Sequence, residues 1–323
     1  MGTNTTVKLG DHQRKIPARG GFGPAIKEAG ARYPELMLFT NDLRAAIRCE
    51  EFICAYPNRF VENGIAEQNM IGMAAGVASC GKLPFVVSYA TFATWRVAEQ
   101  VRNDISYTNF NVKIVSMTTG VTFGQGGMSH QTFEDLTLIR CLPNFTVLAP
   151  ADAEAHNKAV FTAAAHRGPT FLRCGRDDEY EVYAKDGCPF EVGGSNLLRE
   201  GTDIALIACG FMVRESLMAA ELLAKRNISA AVLDLYSIKP IDKETLFNLA
   251  NTCKAFMTIE EHFIEGGMGS AVLEAFSGRR CPPTLLKGID GYPPIGPKFE
   301  VRDHIGLCAA SIEKEAIAFL ETL

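Results

Sequence analysis

The sequence lacks the features that mark membrane, exported and nucleic-acid-binding proteins. Its 323 residues contain no apolar run long enough to cross a membrane, and the first stretch, MGTNTTVKLGDHQRK, lacks the apolar core of a signal peptide. Lys and Arg are nowhere concentrated in a block, and the formal net charge is −5, which argues against nucleic acid or an anionic membrane as the main partner. We therefore expect a soluble cytoplasmic protein that binds neither.

Paired cysteines are also missing. The ten cysteines include no CxxC pair, and the nearest two, Cys49 and Cys54, are five residues apart. This spacing excludes a readable zinc ribbon or thioredoxin-type redox pair, and it fits reduced thiols in a cytoplasm. With 47% hydrophobic and 21% charged residues, the chain is long enough for two globular domains.

Short apolar runs alternate with longer amphipathic ones from about residue 20 onward. LMLF, PFVVSY and VKIVSM predict strands, and AEQNMIGMAAGVAS, ATWRVAEQVRNDISY and FEDLTLIRCL predict the helices that follow them. Apolar strands separated by helices are typical of a mostly parallel sheet covered on both faces. The alternation resumes in DIALIACG and VRESLMAAELLAKRN, so we predict an α/β protein of two doubly wound domains.

A polar, glycine-rich stretch near the middle of the chain carries no sustained periodicity and predicts the connection between the domains. The resulting organisation is an N-terminal tail at 1–20, a first domain at 21–175, a linker at 176–200 and a second domain at 201–323.

Glu67, within VENGIAEQNM, is a carboxylate at the buried start of a predicted helix. An unpaired buried charge costs several kcal/mol or more, so this group requires a partner, a proton or a chemical role. Phe92 and Trp95 stand three residues apart after a predicted strand. They indicate either core packing or a wall on which a flat heterocycle stacks.

The stretch GQGGMSHQ, 124–131, follows a predicted strand at the edge where open α/β sheets bind ligands. His130 in this loop either donates to a substrate oxygen or caps the following helix. Arg19 and Arg173 lie beside predicted element ends, where an arginine can bind phosphate or carboxylate. As single arginines they leave the ligand open.

Several blocks together resemble the second half of a thiamine-diphosphate enzyme of the transketolase family. They are GIAEQNMIGMAAGVASCGKLPFV, YATF, GQGGMSHQTFEDLTLIRCLPNFTVLAPAD, ALIACG, SIKPID and TIEEHFIEGGMGS. The resemblance implies a pyrimidine-binding domain followed by a transketolase C-terminal domain. It also implies transfer of a two-carbon ketol unit from a ketose to an aldose.

The resemblance implies four residues near the cofactor. Glu67 matches the family glutamate that hydrogen-bonds the pyrimidine ring nitrogen of thiamine diphosphate, which makes it the implied catalytic acid. Phe92 and Trp95 match residues that pack on the pyrimidine. Asp42, in FTNDL, matches the aspartate near the cofactor.

The resemblance also implies contacts with the sugar phosphate. His130 matches the histidine of the family's THQ motif, which contacts substrate and is a second implied catalytic residue. Arg173 and Arg19 match arginines that hold the substrate phosphate.

Three positions depart from the family pattern. Thr118 stands where transketolases have a substrate histidine, Gly126 where they have an aspartate, and Ala46 where a phosphate-binding serine is expected. Because lost polar contacts change discrimination between hydroxylated substrates, we expect an altered donor.

The family's magnesium and diphosphate site, a GDG followed some thirty residues later by Asn, is missing from this sequence. The resemblance therefore implies an N-terminal, diphosphate-binding partner subunit that brings most Mg²⁺ ligands. The arrangement of complementary halves implies a two-by-two heterotetramer. No metal ligand is assigned to this chain.

Other assignments stay open at the level of sequence. They are a 1-deoxyxylulose-phosphate synthase-like activity, a 2-oxoacid dehydrogenase beta-like subunit, and a noncatalytic regulatory subunit that kept the fold. Retention of Glu67, Phe92 and His130 together favours an enzyme, and the GQGGMSHQ block favours a transketolase.

Overall fold

The computed structural model describes residues 6–323, so the first five residues of the predicted tail lie outside the described part of the chain. Two large sheets with helices on their faces and one two-stranded sheet form the described part of the molecule, which confirms the predicted α/β class with two domains.

The element bounds follow the predicted alternation. The strands are β1 (Lys15–Pro17), β2 (Leu36–Thr40), β3 (Phe60–Glu62), β4 (Leu83–Tyr89), β5 (Lys113–Met117), β6 (Thr146–Leu148), β7 (Thr170–Arg173), β8 (Asp178–Tyr180), β9 (Asn196–Arg199), β10 (Ile204–Ala208), β11 (Ala230–Asp234), β12 (Ser237–Lys239), β13 (Ala255–Phe263) and β14 (Thr284–Ile289). The helices are α1 (Phe22–Arg32), α2 (Arg44–Ile47), α3 (Glu50–Ala55), α4 (Glu67–Ser79), α5 (Ala90–Thr94), α6 (Ala98–Gln100), α7 (Asp135–Arg140), α8 (Ala153–Ala165), α9 (Met212–Ala224), α10 (Lys243–Thr252), α11 (Met268–Ala275), α12 (Lys298–His304) and α13 (Ala309–Leu320).

The first sheet has seven strands in the order β12-β6-β7-β5-β4-β2-β3. All pairs are parallel except β12 with β6. β4 is buried at all seven positions because both faces of the sheet are covered. β12 comes from beyond the predicted boundary at 201, so the second half of the chain supplies an edge strand to the first sheet.

The second sheet has the order β14-β13-β10-β11-β9 and is parallel except where β9 pairs with β11. One core cluster joins the domains, with Phe39 and Phe171 from the first sheet and Leu233 and Phe256 from the second. The halves therefore pack as one body around a shared apolar centre.

Three segments differ from the sequence prediction. The predicted tail contains β1, which pairs with β8 inside the predicted linker, and β9 also begins in that linker. The single helix predicted from ATWRVAEQVRNDISY is divided into the end of α5, a 3-10 turn at Trp95–Val97, α6 and a π-helical segment at Val101–Tyr107. Among residues 6–323, no helix is both long and apolar enough to cross a membrane.

Candidate active site

The candidate residues gather at the carboxyl edge of the first sheet, because parallel strands end on the same side. Asn41 and Asp42 follow β2, Phe92 lies in α5 directly after β4, and His130 lies in the loop after β5. Glu67 is the first residue of α4, which begins beyond β3. Four separate segments thus contribute to one region.

Glu67 is paired within this chain. Its side chain is only 4% exposed, and Asn41 Nδ2 donates to Oε1 over 2.9 Å. Arg96 Nη1 lies 3.3 Å from each carboxylate oxygen. The amino-terminal end of a helix also favours negative charge at this position. The buried carboxylate is therefore compensated by an amide, a guanidinium and the helix end.

Arg96 also contacts the aromatic ring of Phe92. Its guanidinium carbon lies 4.4 Å from the ring centroid of Phe92, and its side chain is 47% exposed. Trp95, in the adjoining 3-10 turn, is 54% exposed, so it is not part of the core. The contact of Arg96 with both Glu67 and Phe92 was not predictable from the sequence, since a lone surface arginine has no distinguishing pattern.

His130 lies in an aromatic setting. Its ring centroid is 5.7 Å from those of Tyr89 and Phe123 and 5.5 Å from that of Phe92. Ser129 Oγ lies 2.8 Å from His130 Nδ1, which leaves Nε2 as the ring nitrogen without this contact. The structure thus brings Phe92 and His130 together, as the prediction of a common site requires.

Two of the departures from the family pattern support this loop. Thr118 is buried and adopts a left-handed backbone conformation with φ 64°, which is uncommon for a β-branched residue. Its Oγ1 donates to the backbone oxygen of His130 over 3.2 Å. At Gly126, an added Cβ would lie 2.7 Å from the Phe123 ring and 2.9 Å from His130 Cβ. An aspartate at Gly126 would therefore need this loop to rearrange.

Two arginines flank the aromatic residues. Arg176 stacks its guanidinium 4.0 Å from the Phe123 ring centroid, and Arg19 Nη1 donates to the Ala46 oxygen over 2.5 Å. The Nε atoms of both arginines are buried without a hydrogen-bond partner in the described chain. Burial lowers the pKa of the Arg19 guanidinium, and the positive charges of Arg176 and Arg48 act in the same direction. This environment favours an anion.

Arg173, the last residue of β7, pairs with Asp135. It is 3% exposed, its Nε donates to Asp135 Oδ2 over 2.8 Å, and its Nη2 donates to the Glu261 backbone oxygen over 2.8 Å. The guanidinium is thus engaged in a buried ion pair, and the contact with a substrate phosphate that the family resemblance implies stays a prediction. Arg176, three residues later in CGR, was missed by the sequence reasoning and is the arginine that reaches the aromatic cluster.

Asp42 makes no side-chain contact with Glu67 among the described hydrogen bonds, and its place near the cofactor stays a prediction. It is exposed, has φ 61°, and its backbone N–H donates to Glu62 Oε1 over 2.7 Å. The neighbouring Asn41 is the residue that contacts Glu67.

The residues around Glu67 fit the pyrimidine group that the family resemblance implies. Asn41 Oδ1 is buried and has no hydrogen-bond partner within residues 6–323. An aminopyrimidine carries both donors and ring acceptors, and its flat ring can stack on Phe92. In the same described range, no group of three His, Cys, Asp or Glu side chains is arranged to hold a metal ion.

Comparison with known proteins gives matches over nearly the whole chain. The family model of the transketolase pyrimidine-binding domain matches residues 14–179, and that of the transketolase C-terminal domain matches residues 193–312. A putative transketolase C-terminal section from Methanocaldococcus jannaschii is 38% identical over 300 residues, covering 92% of this chain and 94% of that protein. A 6-deoxy-6-sulfo-D-fructose transketolase subunit from Clostridium sp. is 35% identical, covering 96% of this chain and 95% of that one.

A solved structure agrees with these relatives. A split-gene transketolase, described as an inactive beta4 tetramer, matches with a TM-score of 0.87 and 37% identity over 95% of this chain and 99% of that chain. The chain belongs to the transketolase family.

Proposed function

We propose that this chain is the pyrimidine-binding and C-terminal subunit of a split transketolase, which moves a two-carbon ketol unit from a ketose to an aldose. The observation that carries the proposal is the buried carboxylate of Glu67, which Arg96 connects to the Phe92 ring, together with the unpaired buried oxygen of Asn41. The family models on both domains support the same reaction.

Thiamine diphosphate, when bound, supplies the nucleophilic carbon and the electron sink for breaking the carbon–carbon bond. Glu67 would hold the pyrimidine ring and exchange a proton with its ring nitrogen. Phe92 would support the flat face of that ring. His130, with Nε2 free of the Ser129 contact, would donate to a hydroxyl or developing oxyanion of the substrate.

The terminal group of the sugar is anionic in this proposal. Arg19 and Arg176 each have a buried Nε without a hydrogen-bond partner in the described chain, although Asp177 Oδ1 lies 3.8 Å from Arg176 Nε. Two fork-shaped donors suit phosphate or sulfonate oxygens. The relative from Clostridium sp. is named for a sugar that carries a sulfonate group, 6-deoxy-6-sulfo-D-fructose. With Thr118 and Ala46 in place of family polar groups, we expect a donor other than the ordinary pentulose phosphate.

A partner subunit is part of the proposal. Along the outer face of α4, Gly72 and Gly76 have open space where a Cβ would lie, and Met73 between them is 40% exposed. Ile65 and Trp95 nearby are 75% and 54% exposed. We propose that an N-terminal, diphosphate-binding subunit covers this surface and brings the Mg²⁺ ligands, in a heterotetramer.

The compartment we propose is the cytoplasm. All ten cysteines are free, and Cys54, Cys80 and Cys141 are exposed. Free thiols at the surface fit a reducing environment.

A donor panel tests the reaction and its specificity. The chain is mixed with the candidate partner, Mg²⁺ and thiamine diphosphate, and ketol transfer is measured from ketose phosphates, sulfonated ketoses and uncharged ketoses. We expect transfer from an anionic donor other than xylulose 5-phosphate. Strong preference for xylulose 5-phosphate would contradict the donor assignment, and absence of transfer from every donor would contradict the function.

A further inference from the structure

We propose that the segment Tyr292–Pro297 of the second domain is a positioning element for the histidine loop, Gly124–Gln131, and acts through it on His130. The expected effect on ketol transfer rests on the proposed function, whereas the expected effect on the conformation of the histidine loop does not. The inference gives the second domain a direct part in shaping the candidate active site of the first.

The two segments meet at their backbones. Gly296 N–H donates to the Gly124 oxygen over 3.3 Å, and Gln131 Nε2 donates to the same oxygen over 3.0 Å. A Cβ on Gly124 would overlap the Gly296 oxygen and lie 3.2 Å from the Lys298 nitrogen. Contact this close leaves the start of the histidine loop little freedom to shift toward the second domain.

Ile295 makes the second contact. A Cβ on Gly127, which has φ 62°, would lie 2.8 Å from Ile295 Cδ1. The Gly127 oxygen accepts from the backbone N–H groups of both His130 and Gln131 over 2.9 Å. Gly127 therefore packs against Ile295 and, through its carbonyl oxygen, also holds the backbone of His130.

The Tyr292–Pro297 segment is itself rigid and firmly anchored. Its three prolines, at 293, 294 and 297, restrict the backbone, and α12 begins directly after it. Within α12, Lys298 Nζ and Arg302 Nη1 each lie 2.8 Å from a Glu179 oxygen, and Arg302 Nε lies 2.6 Å from Glu261 Oε1. Because these charges are buried and mutually paired, the end of the segment is fixed to Glu179 of β8 and to Glu261 of β13.

Ile295 itself is 70% exposed, so shortening it removes little buried area. Its effect on the histidine loop can consequently be separated from its effect on the stability of the fold. Ile65 is a matched control, since it is the same residue type, is 75% exposed and lies before α4, away from this contact.

Hydrogen exchange on the full chain tests the contact directly. In Ile295→Ala we expect the amides of His130 and Gln131 to exchange about tenfold faster, with the thermal midpoint unchanged, because local opening becomes easier. Ile65→Ala should leave these amides unaffected. Equal exchange in Ile295→Ala and wild type would overturn the proposal.

A rescue experiment tests whether the effect of a side chain at Gly127 depends on Ile295. Gly127→Ala places a methyl group against Ile295 and also strains a backbone that has φ 62°, so it should speed exchange of the same amides. Adding Ile295→Ala to that variant removes the overlap but leaves the backbone strain, so exchange should become slower than in Gly127→Ala alone without returning to the wild-type rate. If the second substitution makes exchange faster still, the two residues act independently and the inference is wrong.

Activity of the assembled enzyme tests the role of His130. Ile295→Ala should lower kcat/KM for the donor about fivefold in the wild-type background and have no effect in a His130→Ala background. The same loss in both backgrounds would contradict action through His130. Failure of the ketol-transfer proposal would show in the wild-type assay, while the exchange results would still decide whether the segment positions the loop.

Discussion

Arg96 lies across the carboxylate of Glu67, with Nη1 3.3 Å from both oxygens, while its guanidinium carbon is 4.4 Å from the Phe92 ring centroid. A planar donor thus covers the two groups that we assign to the pyrimidine ring. Because the Arg96 side chain is 47% exposed, it can swing into solvent at small cost. The same space therefore serves Arg96 in the free chain and the cofactor in the proposed complex.

Removing Arg96 should tighten cofactor binding. Arg96→Met keeps the length of the side chain but gives up the ion pair and the stacking, which together contribute about 1 kcal/mol. In the assembled enzyme, thiamine diphosphate should then bind up to about fivefold more tightly. The titration can follow the fluorescence of Trp95, the only tryptophan in the chain.

Arg102→Met is the control for Arg96→Met, since Arg102 is exposed and contacts only Asn103 among the described hydrogen bonds. Weaker cofactor binding in Arg96→Met than in this control would show that Arg96 helps to hold the cofactor.

Glu67→Gln should keep the fold and remove most of the activity. Glutamine matches the shape of glutamate but does not exchange a proton at neutral pH, so turnover should fall by about 10²–10⁴. Circular dichroism and thermal unfolding check the fold, and Glu99→Gln, at an exposed glutamate, is the control. Near-normal turnover of Glu67→Gln would contradict the role of Glu67.

We predict that Arg176 contacts the substrate and that Arg173 stabilises the fold. Arg176→Ala is expected to raise KM for an anionic donor by about tenfold or more, with little change for an uncharged ketose, because one charged hydrogen bond is lost. Arg173→Ala leaves Asp135 buried without its partner, so the free energy of unfolding should fall by about 3–5 kcal/mol. Urea unfolding and donor kinetics on both variants measure this. A stable Arg173→Ala protein with a selective KM defect would reverse the assignment.

Asp234 should make the stability of the fold dependent on pH. Burial raises the pKa of Asp234 from 3.8 to about 8, and the nearby Asp152 carboxylate acts in the same direction, against the hydrogen bond from Tyr183. Between these two values the native chain holds a proton that the unfolded chain has released. The Asp234 contribution to the free energy of unfolding is therefore fully present below the lower pKa and falls as pH rises toward 8.

Asp234→Asn removes this titration while keeping an acceptor for Tyr183. Urea unfolding of both proteins should be measured at several pH values. Between pH 3.8 and pH 8, the free energy of unfolding of the variant should increase relative to that of wild type, by at most about 1.4 kcal/mol per pH unit. A constant difference from pH 5 to pH 8 would contradict a protonated Asp234.

Much of the fold could be predicted from the sequence because the patterns that determine its strands are local. Buried apolar runs predicted β4 and β5, and the blocks resembling transketolase brought Glu67, Phe92 and His130 to one region. The pairing of β12 with the first sheet was not predictable, since it joins segments about ninety residues apart. The division of the 93–107 helix depends on packing, which periodicity alone does not contain.

The arginines show a second limit of the sequence. Arg173 and Arg176 stand three residues apart, and both follow the pattern of a strand end. Arg173 is the last residue of β7 and turns into the interface with Asp135, whereas Arg176 lies beyond the strand beside Phe123. Residue type and spacing did not distinguish them because burial decides which charge is already paired.

Calorimetry on the purified chain, with and without its partner, tests the central claim most directly. The diphosphate carries several negative charges that need Mg²⁺ held by protein oxygens, and within residues 6–323 no three His, Cys, Asp or Glu side chains are arranged to hold a metal ion. Glu67 and Phe92 can hold only the pyrimidine end of the cofactor. With Mg²⁺ and thiamine diphosphate, the chain alone should show neither tight binding nor ketol transfer, and both should appear when the diphosphate-binding subunit is added. Tight stoichiometric binding with ketol transfer by the chain alone would contradict the account.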